Sequence, residues 1–505
     1  MNPFDLDQPL IELASQTERG YWTIRHAVEG VQIFGGIGSG KTSGSGRMLA
    51  LKYLASGFGG LVLTVKPDEK QAWQEYCQLT GRERDLIILE PGGPHRFNFL
   101  QYESRQAKSA LTENIVEVLK TVIRAGEEKD SGKSDDAFWE TALDMLIFNV
   151  IDLCQLAYGR VSVQEMYDIV QTIPKSHQQL QTSSQEGEVK AFQKAFEAAR
   201  KRVTENMDAW FNALPAAQQT ILQNEAAFEA ELLHALPQAR LLKFLDQFFF
   251  DSFINLSEKT RSIIDFTFAG FLFRLLREPV YSLFCRGDST VTPEDCLNGK
   301  IILLNLPVKV YHKVGRDCQI LFKYIWQRAM EKRPVNPQAR PLFLWADEAQ
   351  NFLHEHDADY QATARSSRIA TVYISQNLPN YYACMGGQKA EFRVKSFLGT
   401  LGTKIFHANA DIETNKYASE LFGEAYFEEE SHSVTVSQNF GQTKSKSLKL
   451  ERMVRPEEFV RLRTGGPLNN FRVEGYLHRQ GDALLRGLNH TKMLFNQHYQ
   501  PSPTR

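Results

Sequence analysis

The chain has 505 residues, 42% hydrophobic and 23% charged, with a formal net charge of −2. That length can bury a large core and more than one domain, and the near-neutral balance excludes a general nucleic-acid coat while leaving room for a local basic channel. The six cysteines are scattered with no C-x-x-C pair, a spacing that suits neither a zinc site nor a disulfide framework and reads as reduced thiols in a cytoplasmic protein.

Residues 1–29 read as a lead-in that ends at Gly30; Asp5, Asp7 and Glu12 come too early for a signal peptide. Val31–Phe34 is an apolar run suited to a buried strand. It opens into Gly35-Gly36-Ile37-Gly38-Ser39-Gly40-Lys41-Thr42-Ser43, in which Gly35, Gly40, Lys41 and Thr42 fit the P-loop spacing, and a helical pattern follows from Arg47 through Leu51 to Leu54. Strand, glycine loop and helix form the context in which backbone N–H groups and a helix N-terminus cradle phosphate. Lys41 would reach the β- and γ-phosphates, and the Thr42 hydroxyl would ligate Mg2+. A flexible Gly/Ser linker would have no reason to place Lys-Thr between a strand and a helix. This is a nucleotide site.

A turn at Gly57–Gly60 leads to a second strand, Leu61–Val65, that ends in Lys66-Pro67-Asp68-Glu69. A helix over Ala72–Leu79 and a third strand over Asp85–Leu89 follow, and strands alternating with helices at this spacing imply a parallel sheet covered on both faces. From about 106 to 255 the sequence is rich in helix formers, with apolar faces at Phe138, Leu143, Leu146, Ile147 and Val150 and at Ala191, Phe192, Phe196 and Ala199. This reads as an inserted all-helical domain containing a polar loop at Gly126–Asp136. Lys190, Lys194, Arg200, Lys201 and Arg202 could touch nucleic acid, but Glu186, Glu188, Glu197 and Glu205 among them favour a solvated helix face. Leu143–Tyr158 and Phe266–Phe284 are the most apolar stretches. Asp144 and Asp152 interrupt the first and Arg274, Arg277 and Glu278 the second, short of the roughly 20 apolar residues of a membrane span, so none is expected.

Strand-like sequence returns at Lys300–Leu306, Leu342–Ala346, Ile369–Ser375, Lys404–Ala408 and near Asn470–Tyr476. Ser431–Leu450 alternates polar and apolar residues as an exposed hairpin or long loop, and a frayed tail is expected over 498–505. The strand Leu342–Ala346 ends in Asp347-Glu348, a Walker B arrangement in which Asp347 would hold the Mg2+ shell and Glu348 would act on the attacking water. A glutamate there favours an ATPase over a GTPase switch, whose water is oriented by Gln. Gln376, closing the next strand, is placed to sense the γ-phosphate. Arg365 and Arg368 precede that strand, and either could be an arginine finger acting from a neighbouring subunit, although a lone surface Arg is more often solvated.

Taken in order, these pieces resemble the VirD4/TraG-type coupling ATPases of conjugation and type IV secretion, within the FtsK/HerA group of P-loop DNA translocases. The resemblance rests on I-F-G-G-I-G-S-G-K-T, L-V-L-T-V-K-P-D-E and P-G-G-P-H-R-F-N-F-L, with Asn98 at the family's N-P-L element. F-W-E at Phe138, S-E-K-T-R-S at Ser257, W-A-D-E-A-Q, Q-N-L at Gln376, D-I-E-T at Asp411 and S-E-L-F-G at Ser419 complete it. It implies a RecA-like α/β domain with a mostly parallel sheet, covering 30–105 and 256–497, and an inserted all-α domain over 106–255. It also implies ATP and Mg2+ as ligands, a homo-oligomer that the likeness makes a hexamer, DNA in the central channel, and a relaxosome, adaptor or secreted-protein partner on the helical domain. Family members place the finger eleven positions before the sensing Gln, which selects Arg365 over Arg368. Phe99 replaces the family's usual Pro, and the two-helix membrane anchor common in the family is not seen, so a cytoplasmic protein recruited to the inner membrane by partners is expected. Two other readings are an ATP-gated hub that recruits protein cargo through the helical domain without pumping DNA, and, more remotely, an unrelated P-loop kinase.

Overall fold

The computed structural model describes residues 2–14, 18–106, 111–126, 136–176, 179, 189–386, 390–435, 441–481 and 483–501. Two compact units emerge. Met1–Leu89 and Pro293–Arg505 form one, and most of the stretch from Glu90 to Thr292 forms the other.

The first unit begins with more structure than a lead-in. Strands β1 (Pro9–Ala14) and β2 (Arg19–Thr23) pair antiparallel ahead of a short helix, Ile24–Val28. Leu10, Ile11 and Leu13 are buried, and so is Trp22, whose indole N–H donates to Thr403 Oγ1 at 3.1 Å.

The central sheet contains β3 (Val31–Phe34), β4 (Gly59–Leu63), β5 (Leu86–Leu89), β6 (Ile301–Leu304), β7 (Leu342–Asp347), β8 (Ile369–Ser375) and β9 (Thr403–Phe406). Strands β10 (Glu424–Thr435) and β11 (Gly441–Arg452) make a separate ribbon, while β12 (Arg472–Arg479) and β13 (His490–Asn496) join the sheet at one edge. The order is β13-β12-β9-β3-β8-β7-β4-β6-β5; pairing is parallel from β9 to β5 and antiparallel at β12 and β13. Every residue of β3, β4, β6, β7, β8 and β9 is buried, as a sheet covered on both faces requires. Their near-continuous apolar runs follow from that burial. On one face Tyr53 stacks on Phe58 at 4.9 Å and Trp73 on Phe343 at 5.6 Å, tying the helices after β3 and β4 to the sheet.

The helix Val308–Glu331 carries a buried charge into this unit. Lys323 Nζ lies 2.7 Å from Asp357 and donates to the Phe352 carbonyl at 2.8 Å. Gln327 and the His354 backbone N–H also donate to Asp357, at 2.9 and 2.8 Å. Burial pushes the Lys323 amine down while Asp357 pulls it back up; burial opposes ionisation of Asp357, but the neighbouring His354 ring, the Lys323 ammonium and the hydrogen bonds from Lys323 and Gln327 hold its carboxyl below the usual range. Removing one partner leaves the other charged and buried. Asp357→Ala should therefore lower stability by about 3–5 kcal/mol, whereas the apolar pair Lys323→Met with Asp357→Leu should lose far less. Urea unfolding followed by tryptophan fluorescence checks both.

Among the described residues the second unit holds helices and no strand. Ser162, Asn224 and Ser257 cap the helices Val163–Thr172, Glu225–Ala235 and Glu258–Leu276 by accepting a backbone N–H of the first turn. Phe192 and Phe196 on the helix Ala191–Ala213 meet Phe249 and Phe250 at centroid distances of 5.0–5.9 Å. This unit is wider than the expected 106–255, because the helices Phe99–Gln106 and Glu258–Leu276 pack with the other helices. Of the basic cluster, Arg200 pairs with Asp246 at 2.8 Å and lies over the Phe196 ring, and Lys201 reaches Glu205 at 4.0 Å. Most of the polar loop 126–136 and the Phe138 side chain lie outside the described residues, as do Glu186 and Glu188.

Among the described residues one helical stretch, Trp139–Tyr158, is long and apolar enough to cross a membrane by length and composition, where the sequence pattern leads to the expectation of none. Leu146, Ile147, Val150, Ile151, Leu153 and Cys154 on it are buried within the helical unit, while Met145 and Tyr158 are exposed.

Candidate nucleotide site

The C-terminal ends of five neighbouring strands, β9, β3, β8, β7 and β4, deliver the side chains of the site. Open parallel sheets bind ligands at this end of their strands. After β3 the glycine loop turns through Gly38 and Gly40 at φ of +72° and +81°, a region open to glycine at no steric cost. A Cβ on Gly40 would lie 2.5 Å from the Val473 side chain, so only glycine allows the loop to sit this close to β12. The chain then winds as a wide turn over Thr42–Gly46 straight into the helix Arg47–Ala55. Ile37, at the tip, is 89% exposed.

Lys41 and Thr42 face the end of β7. Thr42 Oγ1 donates to Asp347 Oδ2 at 2.9 Å, and Lys41 Nζ stands 3.9 Å from Glu348 Oε1. Asp347 and Glu348 diverge because Glu348 adopts a left-handed backbone (φ 51°, ψ 51°), unusual for a non-glycine residue and typical of strained functional turns. Asp347 Oδ1 accepts the Glu348 backbone N–H at 2.9 Å, which fixes the turn. Two adjacent carboxylates thus acquire separate surroundings, one on the Thr42 hydroxyl and one on the Lys41 ammonium.

Gln376 arrives from β8, which lies between the P-loop strand β3 and β7. Its Nε2 donates to both Glu348 oxygens at 3.2 and 3.3 Å, and its carbonyl accepts from Asn409 Nδ2 at 2.8 Å. Gln350 adds a third donor to Glu348 at 2.9 Å and accepts from Ser375 Oγ at 3.0 Å. Lys41, Thr42, Asp347, Glu348 and Gln376 are therefore brought to one point.

Arg365 is not at that point. It sits before β8, at the opposite end of the strands, with 61% of its side chain exposed and 3.5 Å from Glu29. Arg368 differs from it sharply. It is buried, has a φ of 52°, and donates to the carbonyls of Phe4 and Ala339 at 2.9 and 3.0 Å. Of the two, Arg365 is the exposed one.

Several site residues escaped sequence reasoning. Lys66, at the end of β4, lies 3.7 Å from Asp347 Oδ2. Glu69 accepts the Val65 N–H at 2.8 Å; burial, reinforced by the charge of Asp347, pushes its carboxyl up to about 8, so it is mainly protonated at neutral pH. His407, after β9, lies 2.9 Å from the Glu474 carbonyl through Nδ1 and 2.7 Å from Ser45 Oγ through Nε2. Burial lowers its pKa to about 4. A neutral ring that donates from Nδ1 and accepts from Ser45 then braces the start of the P-loop helix. Gln497 reaches Ser43 Oγ at 2.7 Å from beyond β13. The one available signal was the polar run at the end of β4; the others depend on strand order.

The residues fit a magnesium-bound nucleotide. The loop has the open glycine backbone of a phosphate cradle, and the Thr42 hydroxyl and Asp347 carboxylate, 2.9 Å apart, are the oxygen donors Mg2+ takes.

Residues 341–464 match the model of the TraG-D C-terminal family, described as the TraM recognition site of TraD and TraG. No curated protein matches the sequence. Among solved structures, the unbound bacterial conjugative coupling protein TrwBΔN70 is 13% identical, with a TM-score of 0.60 over 98% of this chain and 90% of that one. Plasmid coupling protein TrwB with ADP and Mg2+ gives 13% identity and a TM-score of 0.60 over 96% and 89%. Its complex with the ATP analogue ADPNP gives 14% and 0.58 over 95% and 88%. Residues 341–464 thus match the TraG-D C-terminal family, and the chain as a whole has the fold of the conjugative coupling protein TrwB.

Proposed function

We propose that the chain is an ATP-hydrolysing coupling ATPase of a conjugation or type IV secretion-like system, working as a ring, expected to be a hexamer, that moves DNA through its centre. The observation that carries the ATPase is the meeting of Lys41, Thr42, Asp347, Glu348 and Gln376 at one end of the sheet. ATP with Mg2+ supplies the phosphoanhydride bond and a metal that neutralises phosphate charge. The loop Gly35–Ser43 would hold the phosphates, Thr42 and Asp347 would hold the metal, Glu348 would take a proton from water, and Gln376 would read the γ-phosphate position. Arg365 acts on the site of the neighbouring subunit. In TrwB, complexes with ADP and Mg2+ and with ADPNP support ATP and Mg2+ as the ligands.

Steady-state hydrolysis with and without single- and double-stranded DNA, over a salt series, tests the motor. A grip on the DNA backbone is mostly phosphate contact, so stimulation should be sequence-tolerant and fade steeply as salt rises. The second reading, a hub for protein cargo, draws on the family description of 341–464 as a TraM recognition site. That segment lies in the nucleotide-binding unit, so it supports partner docking there rather than on the helical unit. Hydrolysis that ignores DNA and responds to a TraM-like relaxosome protein would favour the hub. Transfer of the γ-phosphate to an acceptor other than water would instead favour a kinase. A cytoplasmic location with recruitment to the membrane by partners completes the proposal.

A further inference from the structure

The ribbon of β10 and β11 stands apart from the central sheet, with twelve residues in each strand paired from Glu424↔Arg452 to Thr435↔Gly441. Two-stranded ribbons are marginal on their own in water, and long open edges are templates for further pairing. Here the two open edges differ in charge. β10 carries Glu424, Glu428, Glu429 and Glu430 and no Lys or Arg, whereas β11 carries Lys444, Lys446, Lys449 and Arg452 against Glu451 alone. Within the ribbon each strand can satisfy this charge on one side only: Lys446 meets Glu428 at 3.3 Å and Glu430 at 3.1 Å, and Arg452 meets Glu424 at 3.3 Å. The face that holds these pairs also exposes Tyr426, Leu448 and Leu450, with Tyr426 opposite Leu450. Glu424, Glu428, Glu429 and Glu430 on one strand, Lys446, Lys449 and Arg452 on the other, and the apolar stripe are all exposed.

We propose that the ribbon pairs edge to edge with the ribbon of a second copy of this chain, β10 of one copy lying against β11 of the next. Pairing like edges would set four glutamates against four glutamates, or basic strand against basic strand, and like charges directly opposite one another destabilise a sheet. The charge pattern therefore disfavours a two-fold dimer and selects a head-to-tail contact, the kind that closes rings. Copies related by rotation keep their ribbons pointing the same way, so β10 meets the neighbouring β11 antiparallel, as it meets its own β11. Each acidic strand then lies between two basic ones, and the stripe of Tyr426, Leu448 and Leu450 continues from copy to copy. This inference deepens the ring of the proposed function and is independent of what the ring moves.

Mass photometry of the full chain across a concentration series, with ATP present, tests it. Glu428→Lys with Glu429→Lys and Glu430→Lys makes both edges basic; Lys444→Glu with Lys446→Glu and Lys449→Glu makes both acidic. Each triple variant should raise the concentration needed for assembly by about tenfold or more, as expected when like charges face across an interface. Mixing the two should restore assembly in complexes containing both, which a folding defect would not allow. A chain carrying both triple changes, with edges reversed but complementary, should assemble alone. Reversal variants that assemble like the unaltered chain would overturn the ribbon contact and leave the DNA-motor reading intact. An unaltered chain that stays monomeric at tens of micromolar would overturn it too. DNA-indifferent hydrolysis, by contrast, would sink the motor and leave the ribbon contact standing.

Discussion

Glu348→Gln should bind ATP and hydrolyse it about 10²–10⁴-fold more slowly, the usual contribution of a positioned general base. The substitution keeps the size and shape of the side chain that Lys41, Gln350 and Gln376 surround, so the pocket should stay formed. What is lost is the ability to accept a proton from water. A fluorescent ATP analogue should titrate with nearly unchanged affinity while steady-state phosphate release collapses. If phosphate release stayed within a few-fold of the unaltered protein, another group would have to be the base, and Glu348 would be reduced to holding Lys41 and Gln376 in place.

Arg365→Ala should also stop hydrolysis, by about 10³–10⁵-fold, the range associated with an arginine finger. It should do so without weakening nucleotide binding, since Arg365 lies at the opposite end of the strands from its own P-loop. The salt bridge to Glu29 is largely exposed and contributes little to stability, so unfolding should be nearly unaffected. Lys41→Ala disables the site in its own subunit but leaves Arg365 intact. Mixed rings of the two variants should therefore regain activity at interfaces where an intact pocket meets an intact finger. Failure of every mixture to recover would place the required arginine inside the subunit or elsewhere. The same measurement on Arg368→Ala should show loss of stability instead, because its guanidinium ties Phe4 and Ala339 together.

The parts of the site that the sequence makes legible are those whose chemistry fixes a local spacing. A phosphate cradle needs glycines, lysine and a hydroxyl within one turn, and a metal-binding carboxylate needs the end of a buried strand; both could be located from residues alone. The strands Val31–Phe34 and Ile369–Ser375 fall where their apolar runs place them. What the pattern could not supply is neighbourhood. His407 bracing Ser45, Lys66 beside Asp347 and Gln497 on Ser43 all depend on strands that are adjacent in the sheet but distant in sequence. Strand β13 escaped notice because polar and apolar residues do not sort by face in His-Thr-Lys-Met-Leu-Phe-Asn, where His490 is buried and Leu494 exposed. The stretch from Ser257 is expected to open the second part of the nucleotide-binding domain, but the helix Glu258–Leu276 that Ser257 caps falls in the helical unit, and nothing in its local pattern says which unit it packs against. Arg365 and Arg368 look alike in sequence and are separated only by their surroundings.

The position of β8 has a mechanical consequence. Its seven residues are all buried and clasped between β3 and β7, with Arg365 just ahead of one end and Gln376 at the other. A strand of that length spans about 23 Å and resists compression because both flanks are hydrogen-bonded. In the proposed ring it would act as a connecting rod between two successive nucleotide pockets. Loss of γ-phosphate at Gln376 would push on the same rigid element that carries the finger for the next pocket, so the phase of one subunit would be passed directly to its neighbour. A proposed motor built this way would fire in sequence around the ring, with its timing carried by the strand itself.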